Sequence, residues 1–249
     1  MAQKKLNILL IGYGKMGKAI HDVLLKRGHT LCGKIDIDNI NELSAYNSTN
    51  VDVAIEFSHP SSAFDNVWYC LTHQIPIVCG TTGWLDNMPK IIDYCSKNKS
   101  SICYSGNYSI GVNIMFALNE YLAKLMNTHS EYDATMHETH HVYKKDAPSG
   151  TAITLAEGIL KNNTNKSKWT INRDQLKPDT LFIGHDRIHN EPGIHTVKYT
   201  SPIDSIEIKH TAFNREGFAT GAVLAAEYIY DKKSTQIYTM YDILNLQKA

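Results

Sequence analysis

Leu6-Asn7-Ile8-Leu9-Leu10-Ile11-Gly12-Tyr13-Gly14-Lys15-Met16-Gly17 is the stretch that decides the fold. An apolar run with one polar interruption stops at Gly12, and a helix pattern follows from about Met16 to Arg27. Such a run suits a parallel strand covered on both faces. The glycines fit the spacing G-x-G-x-x-G. That spacing permits a tight turn, close backbone approach and a helix N-terminus aimed at a diphosphate. Asp36 ends the next strand about twenty residues on, where a carboxylate meets a ribose 2′-hydroxyl. Gly12, Tyr13, Gly14, Lys15, Met16, Gly17 and Asp36 are therefore candidate dinucleotide contacts. A glycine-rich turn without a ligand would look similar in isolation. The strand before, the helix after and the acid at this distance favour the cofactor.

The same alternation continues outward. Thr30 to Asp36, Val51 to Phe57, Ile75 to Cys79 and Ser101 to Tyr104 read as strands. Between them, Phe64, Val67, Trp68 and Leu71 share one helical stripe, and Leu85, Met88, Ile91, Ile92 and Cys95 mark another helix. Repeated strand–helix units imply a doubly wound parallel sheet. Gly80, Thr81 and Thr82 follow the fourth strand, and Ser105, Gly106, Asn107 and Tyr108 the fifth. Open α/β sheets bind ligands at these carboxyl ends, and small polar residues suit a nicotinamide ribose and carboxamide. The same residue types also favour turns whatever they bind.

The second half changes character. Val112 to Met126 reads as a helix, Glu131 to Glu138 as a strand, and Thr151 to Lys161 as a helix. Asn162 to Asp179 is polar and reads as a loop. Gly193 to Thr200 and Ser205 to Ala212 read as an antiparallel pair, and Phe218 to Tyr230 as a helix.

Composition excludes several classes of function. The formal net charge is zero, so no basic excess is present to neutralise a nucleic-acid backbone. No apolar run is long enough for a membrane span or a signal-peptide core, which points to a cytoplasmic protein. Cys32, Cys70, Cys79, Cys95 and Cys103 form no C-x-x-C pair, and four of them sit in apolar surroundings as reduced thiols. Only four basic residues are arginines, Arg27, Arg173, Arg187 and Arg215, so each merits individual inspection.

The most informative segment is Glu138-Thr139-His140-His141-Val142-Tyr143-Lys144-Lys145-Asp146-Ala147-Pro148-Ser149-Gly150-Thr151. A solvated loop could hold such a cluster. Paired histidines also suggest a metal, but no third ligand stands at a defined spacing, and none is expected to bind. Pro148 to Thr151 precede a helix pattern, where backbone amides would form a pocket for a carboxylate. Lys144 beside it adds positive charge and a proton source.

This segment resembles the signature of the dihydrodipicolinate reductase family: glutamate, any residue, His-His, two residues, lysine, any residue, Asp-Ala-Pro-Ser-Gly-Thr. The Gly80 tetrapeptide, the run Ser105 to Asn113 and the stretch His210 to Gly221 are similar to the family in the same order, so nearly the whole chain is covered. The resemblance implies a Rossmann-like doubly wound parallel sheet plus a second mixed-sheet α/β domain. Residues 1–108 and 215–249 would form the dinucleotide-binding domain, and 109–214 the substrate-binding and oligomerisation domain. His140 would be the acid/base residue and Lys144 the proton donor, while His141, Gly150 and Thr151, with Ser149 beside them, would hold substrate carboxylates. The implied reaction is the NAD(P)H-dependent reduction of 4-hydroxy-tetrahydrodipicolinate, a small dicarboxylate of lysine and diaminopimelate synthesis, by a homotetramer that needs no metal.

Three departures from the family pattern stand out. The nucleotide loop is shorter by one glycine. The stretch Asn162 to Gly193 is shorter than in long members, which implies a trimmed sheet or active-site loop. Ile37 follows Asp36 where members that favour NADPH often carry Arg. Asp36 should repel a 2′-phosphate, although Lys15 or Lys34 would offset this, so NADH is expected to be modestly favoured over NADPH. Two rival readings remain at this stage: another two-domain NAD(P)-dependent dehydrogenase, and a dinucleotide-binding sensor without catalysis.

Overall fold

A computed structural model describes residues 4–232 and 236–247. Residues 1–3, 233–235 and 248–249 belong to the span expected to bind dinucleotide and lie outside the described residues. The chain divides into two compact units, one running to Ile110 and resuming over Arg215–Asn245, the other comprising Gly111–Asn214 with Leu246 and Gln247 near the chain end.

The first unit contains a six-stranded sheet. Its strands are β1 (Asn7–Ile11), β2 (Thr30–Ile35), β3 (Val53–Glu56), β4 (Ile77–Cys79), β5 (Ile102–Tyr104) and β11 (Ile237–Tyr238). They lie in the order β11-β5-β4-β3-β1-β2, and every pairing is parallel. Strand alternation sends Ile8, Leu10, Val53 and Ile55 into one core, shared with Ile20, Val23 and Leu24 of α1 (Lys15–Lys26) and the alanines of α6 (Glu216–Lys232). Leu9, Ile11 and Ala54 face a second core with Val67 and Leu71 of α2 (Pro60–Thr72) and Ile91 and Cys95 of α3 (Met88–Lys97). Both faces are therefore covered, which is why β1 and β3 read as unbroken apolar runs. The chain reverses direction of travel across the sheet between β1 and β3, and such a switch point opens a crevice at the strand ends.

The second unit contains a mixed sheet in the order β10-β9-β6-β8-β7. Its strands are β6 (Asp133–His140), β7 (Lys168–Thr170), β8 (Thr180–Arg187), β9 (Gly193–Thr200) and β10 (Ser205–Ala212). β8 runs parallel to β6, whereas β9 runs antiparallel to both β6 and β10. α5 (Gly150–Asn162) packs on β6. α4 (Ile110–Met126) meets α5 where Asn119 Nδ2 donates to the Leu155 carbonyl at 2.9 Å. In β9, Gly193, His195, Val197 and Tyr199 are buried while Ile194, Thr196 and Lys198 are half-buried, so the two sheet faces differ.

The structure corrects the sequence reading in three places. Asn162 to Asp179 is not all loop, because it holds β7. β8 is absent from the sequence reading yet lies at the heart of the sheet, so the short stretch Asn162 to Gly193 still carries two strands. β6 continues to His140, which makes that residue part of a strand and not of the following loop. All five cysteines are free, and burial pushes the Cys103 thiol up to about 12. No helix among the described residues is long and apolar enough to cross a membrane.

Candidate active site

In the first unit, the expected cofactor residues collect at the carboxyl ends of the parallel strands. Gly12 has φ +90°, and a Cβ there would lie 2.0 Å from the Phe57 carbonyl oxygen, so β1 can turn beside β3 only with glycine. A Cβ on Gly17 would meet the Gly12 carbonyl oxygen at 2.2 Å. Gly14 differs, because a Cβ there would touch nothing within 4 Å. The protein's own packing does not demand glycine at that position, but a closely approaching diphosphate would. Gly14 also caps α1 with no side-chain hydrogen bond, and the first turn holds no acid. An uncapped helix N-terminus of this kind favours an anion. Asp36 Oδ2 accepts from the Tyr13 amide at 3.2 Å and Oδ1 from the Ile37 amide at 2.9 Å. Each oxygen retains capacity for a ribose hydroxyl. Lys34 Nζ lies 4.9 Å from the Tyr13 ring centroid, so one of the two lysines singled out above sits beside the loop. These features fit a dinucleotide.

Thr82, Gly106, Ser105 and Asn107 stand at the ends of β4 and β5, and a Cβ on Gly106 would contact Thr82 Cγ2 at 3.8 Å. Two expected contacts turn inward instead. The Tyr108 side chain is fully buried, and its hydroxyl lies 2.9 Å from both the Cys79 and Cys103 carbonyls, tying β4 to β5. Thr81 donates to Glu56 Oε1 at 3.1 Å and accepts from the Ser58 amide at 2.9 Å. Neither side chain is offered to a ligand, because a strand-end position alone does not say which way a residue points.

In the second unit, register brings the chemistry together. Glu138 lies opposite His195 on β9, and His140 opposite Arg187 on β8. Glu138 and His140 are two apart on β6 and so share a face. Glu138 is fully buried. Arg187 Nη2 approaches its Oε1 at 3.3 Å, and the Ser149 amide donates to the carboxylate at 3.1–3.2 Å. His140 Nε2 is 3.4 Å and His195 Nε2 is 3.7 Å from Oε2. Gly193 gives the His140 ring its space, since a Cβ there would lie 2.9 Å from His140 Cε1. Arg187 also donates to the Asp146 carbonyl at 2.7 Å, which pins the loop that carries Lys144. Lys144 Nζ meets Asp146 at 2.8–2.9 Å.

Burial pushes the Glu138 carboxyl up, but the His140 and His195 imidazoles and the Ser149 amide around it outweigh this and hold the group far below the usual carboxylate range. Burial lowers the His195 imidazole, with His140 acting in the same direction. His195 is therefore neutral at pH 7, and the anion Glu138 is balanced by Arg187.

The expected substrate residues have separate fates. His141 Nδ1 is buried with no hydrogen-bond partner among the described residues, so it retains an atom for a ligand. Gly150 opens α5 into free space. Thr151 is half-buried in the first turn of that helix. Ser149 is a correction. Its amide is taken by Glu138, and its Oγ caps the Ala152 amide at 3.2 Å and meets His195 Nε2 at 3.1 Å, so it braces the site and adds nothing to the anion pocket. Arg187 and His195 were not foreseen as site residues. The scarcity of arginine was the one usable signal for Arg187.

Family models for the N-terminus and the C-terminus of dihydrodipicolinate reductase match residues 6–108 and 111–244. The chain belongs to the dihydrodipicolinate reductase family. Its relatives include the 4-hydroxy-tetrahydrodipicolinate reductase of Christiangramia forsetii, 47% identical over 96% of this chain and 98% of that protein. The Thermosipho africanus enzyme of the same name is 37% identical over 94% and 96%. In fold, the chain is similar to a dipicolinate-bound dihydrodipicolinate reductase from Paenisporosarcina sp. TG-14, with a TM-score of 0.77 at 20% identity over 96% of this chain and 99% of that one. Membership of the family makes the chain an NAD(P)H-dependent oxidoreductase acting on a small molecule, with the mixed second sheet that the resemblance implied.

The buried carboxylate of this reductase sets its acid stability. A group whose folded pKa is depressed stabilises the fold above its unfolded pKa and loses that contribution as pH falls. Glu138 does so below about pH 4.5, and neutral His195 adds the same sense of change from about pH 6.5 downward. Glu138→Gln is expected to destabilise the protein by roughly 1–3 kcal/mol at pH 7, because the half-buried Arg187 loses its carboxylate and the amide cannot accept every bond that Glu138 accepts. The gap from wild type should shrink as pH falls below 4.5. Urea unfolding at several pH values measures both. A pH-independent gap would assign the loss to packing alone.

Proposed function

We propose that this chain reduces 4-hydroxy-tetrahydrodipicolinate to tetrahydrodipicolinate, with loss of water, in lysine and diaminopimelate synthesis. The observation that carries the proposal is the ionised, buried Glu138 that anchors His140 within a chain matching both halves of one reductase family. The relatives' names supply the substrate. Matches that run through the His140–Thr151 segment favour this reading over another dehydrogenase or a sensor.

His140 acts as the acid/base residue, held in place by Glu138 and by the space over Gly193. Lys144 donates a proton to the reduced ring. His141, Gly150 and Thr151 receive the carboxylates. The unit containing β1–β5 binds the dinucleotide, with residues 1–108 and 215–249 as its span, and residues 109–214 bind substrate and assemble the oligomer. Bound nicotinamide supplies the hydride. Reduced nicotinamide pools make the cytoplasm the location.

Turnover of substrate made in situ by a dihydrodipicolinate synthase, followed by nicotinamide absorbance, tests the activity. His140→Ala and Lys144→Ala should each lower kcat by about 10²- to 10⁴-fold, with dinucleotide binding retained. Near-normal turnover in a folded variant removes that residue from the chemistry.

Cofactor choice follows from Asp36, whose carboxylate suits ribose hydroxyls and opposes a 2′-phosphate, and from Ile37, which is exposed and offers no fork of donors. Lys34 stands beside the loop as a flexible counter-charge. Both cofactors should work, with NADH modestly favoured in kcat/KM. A tenfold or larger preference for NADPH would show that lysine governs the site, and Lys15→Ala and Lys34→Ala would then identify which one.

A homotetramer is part of the same proposal. The half-buried face of β9 carries Ile194, Thr196 and Lys198, and on the adjoining edge strand β10 it continues through Thr211, Lys209 and Glu207, which pair with them. A sheet face of this kind is suited to pairing with copies of itself. Light scattering at micromolar concentration should return four chains, and a monomer would refute it.

A further inference from the structure

The side chains of Glu138, His140 and His195 do more than brace one another. Glu138 Oε2, His140 Nε2 and His195 Nε2 converge, with separations of 3.4 Å, 3.7 Å and 3.3 Å. A charge-assisted N–H···O bond is about 2.7–2.9 Å, so these contacts are long for hydrogen bonds. They are close to the edges of a tetrahedron. Zinc bonds of about 2.0–2.2 Å put neighbouring ligand atoms roughly 3.3–3.6 Å apart. The two facing imidazole nitrogens, 3.3 Å apart, either share one proton as donor and acceptor or both turn lone pairs toward a cation.

The atoms around the three groups match a metal site as well. Arg187 and the Ser149 amide fix Glu138, and Ser149 Oγ, 3.1 Å from His195 Nε2, gives up that contact to the cation. A carboxylate oriented in this way binds better than a free one. Two histidines and one carboxylate leave a fourth position open. Imidazole with carboxylate favours zinc, cobalt or nickel over magnesium. The short segment Glu138 to Thr151 supplies two ligands, and the third comes from β9, beyond any local spacing.

We propose that Glu138, His140 and His195 form a binding site for one divalent cation of the zinc class, and that the bound cation inhibits the enzyme. The cation takes the His140 Nε2 lone pair, so that nitrogen cannot carry a proton. The inhibition rests on the role proposed for His140, whereas the binding does not.

Titration of the metal-free protein with Co²⁺ tests the site. The expected result is an intense visible absorption of tetrahedral cobalt, saturating at one ion per chain, displaced by Zn²⁺ and untouched by Mg²⁺. His195→Ala and His140→Ala should abolish it. His137→Ala should not, because His137 meets Asp186 as an exposed pair elsewhere on the sheet. Circular dichroism checks folding, and the wild-type titration stands whether or not a variant folds. No band, a weak octahedral spectrum, or a band unchanged in folded His195→Ala overturns the site. A second measurement tests the inhibition, as turnover in added Zn²⁺ should fall and recover with a chelator. A cobalt band with turnover unaffected by saturating Zn²⁺ overturns the inhibition, and with it the role of His140, while the cation site stands.

Discussion

A carboxylate with no access to water, in the middle strand of a mixed sheet, constrains the whole second unit. Glu138 is fully buried and ionised. Burying an isolated charge is prohibitive, so every nearby element must contribute compensation. β8 supplies the Arg187 cation, β9 supplies His195, and the start of α5 supplies the Ser149 amide. A one-residue slip of β9 would turn His195 to the opposite face and break this set. Strand register and site geometry are therefore one requirement. The Arg187 bond to the Asp146 carbonyl extends that requirement to the loop, so even Lys144 is placed indirectly by the charge on Glu138.

The first unit meets its demands with neutral groups. Glu56 is also fully buried, at the end of β3, yet it forms no ion pair among the described residues. Ser58, Thr81 and Cys79 donate to it, including the Cys79 Sγ at 3.0 Å. These bonds tie the ends of β3 and β4 together, as the Tyr108 hydroxyl ties β4 to β5. The strand ends are thus tied together by side chains that turn inward. Around them, glycine at positions 12 and 17 answers to close backbone approach, whereas Gly14 answers to a space left open beside the helix N-terminus.

Sequence shows this division unevenly, for physical reasons. The parallel sheet is legible because burial on both faces leaves unbroken apolar runs, and the glycine loop because its constraints are local. The loop from Lys144 to Thr151 is legible because its chemistry is contiguous. β8 is hidden because only Leu181, Phe182 and Ile183 give it an apolar run before polar residues resume. Arg187 and His195 are hidden because they reach Glu138 only across strand pairs, 49 and 57 residues along the chain. Tyr108 and Ser149 mislead for a different reason. Their positions at a strand end and a helix start are those of ligand contacts, but side-chain direction depends on the packing beneath.

The two groups proposed to handle protons are held very differently, and the difference suits the proposed tasks. His140 sits on a strand, 8% exposed, between a buried carboxylate and the space above Gly193. Strand position and burial leave its ring little freedom. Lys144 sits on a loop and pairs with Asp146, whose side chain is 58% exposed. The lysine holds that carboxyl below its usual range although burial opposes it. The lysine side chain is 22% exposed and its partner stands largely in solvent, so exchanging Asp146 for a bound dicarboxylate keeps the ammonium paired. A substrate carboxylate in place of Asp146 would restore the lost contact. The Lys144 ammonium thus has an exposed resting partner that a ligand can displace, whereas the His140 imidazole is held between two buried groups, Glu138 and His195. In the proposed reaction the freer group is Lys144, and the loop that carries it is still anchored through Arg187.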